Sequence, residues 1–111
     1  MVTAYIGDLS DPKFSWDNGD WNGNRPKKIS PEFPDSGIVL DKIWKKFKGK
    51  QVDWGTYVVK VNKEQITQFV SEIYELPYYL SFMNEAIKEL IDFIANLEND
   101  KIYALVACEI Y

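Results

Sequence analysis

The sequence predicts a small α+β fold, a sheet of three or more strands with three helices packed on one side. Three observations predict it. β-favouring runs stand at residues 2–6, 56–61 and 102–110. Apolar residues recur at helical spacing between them. The 111 residues, 46% hydrophobic and 15% aromatic, suit one compact core. The predicted order is β-loop-α-β-α-α-β, as one domain over residues 1–111.

Residues 2–6 form the first predicted strand. The pattern then breaks over about 8–37, which holds four of the five prolines with many Asp, Asn and Ser. This reads as a long loop, with a hairpin turn about Asp17–Asp20 because Asn18-Gly19 favours positive φ. Long loops in compact domains are often functional.

A helix follows from a cap at Asp35 or Ser36 to about Lys48, with Gly49 as its stop. Val39, Leu40, Ile43, Trp44 and Phe47 form its apolar stripe and Lys42, Lys45, Lys46 and Lys48 its other side. After the strand 56–61, Asn62 caps the next helix, with Gln65 as reciprocal partner. Its stripe is Ile66, Phe69, Val70 and Ile73. Pro77 ends it, and a third helix begins near 77–80. Phe82, Met83, Ala86, Ile87, Leu90, Ile91, Ile94 and Leu97 line its buried side. Residues 102–110 are almost continuously apolar, as expected of an interior strand covered on both faces, or on one face plus a loop. Trp44, Phe69, Leu90 and Val106 are therefore expected in the core.

The net charge of −4 is unevenly spread. Residues 1–24 sum to −3, residues 25–50 to +5 and residues 51–111 to −6. An acidic chain is repelled by nucleic acid and anionic membrane unless the middle block forms its own patch. No run approaches the roughly 20 apolar residues of a membrane span. The first residues lack the charged and apolar regions of a secretory signal. A cytoplasmic location is expected.

The side chains of most catalytic machinery are missing. Without histidine there is no usual Ser-His-Asp triad, no Cys–His dyad and no ordinary zinc site. Cys108, the single cysteine, lies in an apolar run and reads as a buried structural thiol. Neither phosphate-cradling glycine motif occurs. Asn18, Asp20 and Asn22 imitate the start of a calcium loop, but the position needing a bidentate glutamate is Ile29. No cofactor and no metal are expected, and no enzymatic activity.

Two surfaces remain as candidate sites. The first is the acidic aromatic loop, with Trp16, Asp17, Asp20 and Trp21 flanked by Phe14 and Phe33; tryptophan anchors beside acids suit a protein-binding loop. These rings otherwise fold back to fill the core. The second is the lysine face at 42–50 with Arg25, Lys27 and Lys28, which reads as a nucleic-acid patch or simply a solvated face. The acidic side of the two later helices, with Glu72, Glu75, Glu85 and Glu89, competes with the loop as the surface that meets cations.

Val39-Leu40-Asp41-Lys42-Ile43-Trp44, followed by Tyr57-Val58-Val59-Lys60-Val61 and Asn62-Lys63-Glu64-Gln65-Ile66, resembles the middle of YfbM-like bacterial proteins. The likeness covers residues 38–75. The histidine expected just after the helix tryptophan is absent, and the N-terminal third does not match. The resemblance implies a bacterial α+β domain and carries over no functional residue. By analogy with small acidic bacterial immunity proteins, the expected function is non-catalytic binding that neutralises a basic, nuclease-like toxin. The alternatives are a nucleic-acid-associated protein using the lysine helix, and a small carboxylate-dependent hydrolase.

Overall fold

The computed structural model describes residues 1–17, 23–75 and 85–109. They form one five-stranded sheet from β1 (Val2–Asp8), β2 (Lys27–Lys28), β3 (Lys50–Asp53), β4 (Thr56–Asn62) and β5 (Ile102–Glu109). The order across the sheet is β2-β1-β5-β4-β3, with every neighbouring pair antiparallel. Two strands are added to the expected order. β2 lies inside the stretch expected to be loop, and β3 makes a hairpin with β4.

The apolar run of β5 has the explanation its pattern suggested, because it is the central strand. Tyr103, Leu105 and Ala107 face the helices; Ala104, Val106 and Cys108 face the other side. The helix-side core joins Ala4, Ile6, Val61 and Leu105 to Val39, Ile43, Ile66, Phe69, Leu90 and Ile94. The second core packs Tyr5, Val52, Val58, Val106 and Cys108 under Phe14, with Leu9 and Trp16 against it. The N-terminal loop is thus the cover of the face opposite the helices.

After the loop, residues 27–36 run along the free edge of β1. Ile29 N donates to Ile6 O at 3.0 Å and Phe33 N to Ala4 O at 2.8 Å. The Ser30 hydroxyl accepts from Ile6 N at 2.8 Å, and the Ser36 hydroxyl accepts from Ala4 N at 3.1 Å. Backbone groups on a sheet edge need partners, and two serine hydroxyls supply them where a strand does not. Ser36 also donates to Phe33 O at 2.6 Å. It therefore docks the helix on β1. No side chain caps this helix, and Asp35 takes a left-handed conformation at φ 57.

The helix expected over 36–48 is two pieces, α1 (Ser36–Lys42) and a π-helical turn (Ile43–Phe47). Lys48, not Gly49, adopts the left-handed terminal conformation, at φ 51. Gly49 is needed for closeness instead: a Cβ there would stand 2.6 Å from the Ile43 Cγ2. Trp44 is not in the core. It is 58% exposed, whereas Phe69, Leu90 and Val106 are buried as expected. The core line runs through Val39 and Ile43. Leu40, half-buried, and Trp44 form the neighbouring i, i+4 row.

Asn62 caps α2 (Lys63–Ile73) through the predicted box. Its side chain accepts from Gln65 N at 2.8 Å, and the Gln65 side chain accepts from Asn62 N at 2.9 Å. The third helix is described as α3 (Glu85–Ala95). Its expected start near 77–80, with Phe82 and Met83, lies outside the described residues.

Candidate partner-binding surfaces

The loop candidate is built on a defined neck. Phe14 is buried under the sheet, and Ser15 and Asn24 are joined by a pair of hydrogen bonds, 2.9 and 2.8 Å long. Asn24 also donates to Val52 O at 3.1 Å. Next to it, Asp53 holds Gly23 N at 3.3 Å and the Arg25 Nε at 2.8 Å, its carboxylate almost wholly buried. Buried carboxylates are retained when so paired. Beyond the neck, Trp16 is half-buried. The Lys60 ammonium lies 4.4 Å from its ring centroid and that of Lys50 5.1 Å. Lys50 also reaches Asp17 Oδ1 at 3.2 Å. Trp16 thus packs back on the sheet, as the structural reading of the loop expected, while Asp17 stays exposed. Asp20 and Trp21, the hairpin turn and the calcium-like residues Asn18 and Asn22 lie outside the described residues.

A groove of about 450 Å³ opens beside Trp16, lined by Leu9, Phe14, Ile102 and the lysines Lys60 and Lys101. At its rim Asp8 accepts from the Ser10 hydroxyl and backbone N–H, and these bonds hold its carboxyl below the usual carboxylate range.

The lysine face is largely paired within the fold. Lys45 meets Asp41 at 3.2 Å, Lys46 meets Glu72, and Lys50 meets Asp17. Of the competing acidic residues, Glu72, Glu75, Glu85 and Glu89 are all exposed. The Lys46 ammonium, with the Gln68 amide, holds the Glu72 carboxyl low. Glu75 sits at φ 50, a left-handed conformation just past α2.

A third surface was not foreseen. Trp44 meets Tyr57 edge to face, with ring centroids 4.9 Å apart and planes at 81°. Together with Gly37, Leu40, Asp41 and Glu109 they line a cleft of about 350 Å³. Glu109 N donates to Gly55 O at 2.8 Å, so the cleft abuts the β3–β4 turn that carries Trp54. Trp54 is 70% exposed. Two exposed tryptophans therefore stand at one end of the sheet. Among the described residues no group of three or more His, Cys, Asp or Glu is arranged to hold a metal ion, and Cys108 is a buried free thiol. No described helix is long and apolar enough to cross a membrane.

No family model matches this chain, and no curated protein or solved structure matches it significantly.

Proposed function

We propose that this chain is a non-catalytic protein-binding domain of the immunity type, which neutralises a basic, nuclease-like toxin by covering it. One observation carries the reading. Trp44 and Trp54 stay exposed at one end of the sheet, although the other described aromatics are buried or half-buried. Tryptophan is the residue most enriched at interface hot spots. The net charge of −4 supports a cationic partner, drawn in at a rate that falls with salt. Membership of the YfbM-like bacterial proteins and a cytoplasmic location belong to the same proposal.

The loop expected to bind the partner, with Asp17 exposed on its neck, supplies a second contact region. The nucleic-acid alternative is the weaker one, because Lys45, Lys46 and Lys50 each stand beside a carboxylate. A phosphate backbone tracks a groove of net positive potential, which carboxylates standing beside the lysines reduce.

Capture with the tagged chain from its source cell, followed by kinetics at two salt concentrations, tests the proposal. Trp44→Ala and Trp54→Ala are expected to speed dissociation from a basic partner by roughly tenfold or more. Asp17→Asn with Asp20→Asn is expected to slow association and flatten its salt dependence. A partner without a basic surface, or one indifferent to both tryptophans, sinks the reading.

A further inference from the structure

We infer that the corner between Trp44 and Tyr57 receives an arginine side chain of the partner. The inference rests on the protein-binding reading above and names the group that the site takes. Trp44 and Tyr57 stand nearly at right angles, so their edge-to-face contact makes two walls of a box, and the indole remains open to solvent. Aromatic faces attract cations through their quadrupole, tryptophan most strongly.

Two carboxylates line the same cleft. Glu109 lines it and meets no cation at ion-pair distance among the described residues. Asp41 lines it from α1 and is bridged to Lys45, but both side chains are more than half exposed. Such surface pairs are weak and exchange readily. The nearby Lys45 ammonium opposes any incoming cation, so the guest must displace it from Asp41 or use Glu109. A planar guanidinium also stacks on an indole while offering parallel N–H donors to a carboxylate, which an ammonium does not. Phosphate in the same cleft would meet two carboxylates and be repelled. Aromatic walls, acidic rims and a side-chain-sized cleft therefore converge on arginine.

The test uses the full chain and a defined probe. Acetyl-Gly-Arg-Gly-amide and its citrulline counterpart, identical in shape but uncharged, are titrated at low salt while the tryptophan indole N–H signals are followed by NMR. The arginine peptide is expected to move the Trp44 indole and the Tyr57 amide saturably, and the citrulline peptide to leave both unchanged. Glu109→Gln should weaken the response about 3–10-fold, and Trp44→Ala should abolish it at Tyr57. Trp44→Phe, which keeps a ring, should retain a reduced response and so controls for a fold effect. Equal shifts from the citrulline peptide, or shifts centred on another tryptophan, overturn the inference. So does a short oligothymidylate that moves Trp44 when the arginine peptide does not. If the captured partner depends on Trp44 but the peptide pair is not distinguished, protein binding stands and the arginine assignment fails. If the peptides behave as expected and no basic partner is found, the receptor stands and the protein-binding reading fails.

Discussion

The Asn24 side-chain amide bonds both backbone groups of Ser15, accepting from its N–H at 2.9 Å and donating to its carbonyl at 2.8 Å. One side chain thereby imitates a pair of strand partners and closes the loop at its base. Asn24 is 4% exposed, and its second donated bond fastens the neck to Val52 on β3. Replacing it with Ala removes the partner of the buried Val52 carbonyl and of both part-buried backbone groups of Ser15. Asn24→Ala is expected to cost about 1–3 kcal/mol, read as a lowered urea midpoint. A midpoint equal to the parent's would show that the neck contributes nothing to stability.

The contrast between Trp44 and Phe69 gives a second prediction. Phe69 is 1% exposed at the centre of the helix-side core, packed near Phe33 and Phe47. Phe69→Ala should cost about 3–5 kcal/mol. Trp44→Ala should change stability by less than about 1 kcal/mol, as surface substitutions do. Thermal unfolding of the two variants checks this. A large loss for Trp44→Ala would mean that the indole is structural, and the binding readings built on it would lose their basis.

Stability should also fall on the alkaline side. Burial, more than any neighbouring charge, pushes the phenols of Tyr5 and Tyr74 well above their ordinary value. Tyr5 donates to Pro26 O at 3.1 Å and Tyr74 donates to Pro34 O. A raised folded pKa means that the unfolded chain loses these protons first. The contribution is complete below the unfolded value of about 10 and is lost as pH climbs from there toward the folded value. Denaturation followed between pH 8 and 11.5 should decline in its upper part. Tyr5→Phe and Tyr74→Phe should each flatten the decline; an unchanged slope in both would assign it to other groups.

The capping box of α2 supplies the fourth prediction. Asn62→Ala removes the acceptor for Gln65 N and should cost about 1 kcal/mol. Asn62→Asp should be tolerated, because it keeps the acceptor and favours the helix dipole. Hydrogen exchange in the first turn of α2 should quicken in the first variant and not in the second.

What was legible in the sequence follows from the range of the forces involved. The box at Asn62 and Gln65 is local and readable from spacing. So is β5, whose unbroken apolar run requires cover on two faces. The β3–β4 hairpin was missed, although Gly55 in its turn, at φ +63, is a local signal; β3 itself is short, with Val52 the one apolar residue of Lys50–Asp53. β2 has two lysines and no apolar pattern, so only its pairing with Gly7 and Asp8 defines it. Periodicity marked Trp44 as apolar but not which row would reach the sheet. The Trp44–Tyr57 cleft joins residues distant in sequence through that placement, and Glu109 comes to it from the opposite part of the chain.

The place of β5 decides when this sheet can exist. Among the described residues β5 is the last strand in chain order, yet it lies between β1 and β4, with Val2 opposite Glu109 in one pairing and Thr56 opposite Cys108 in the other. During synthesis the β1–β2 and β3–β4 pairs have no strand to join them until residues 102–109 have been made. The decisive step of assembly therefore needs the latest of these strands and pays the closure entropy of widely separated contacts. Until then the inner edges of β1 and β4 are bare strands, open to pairing with another nascent chain.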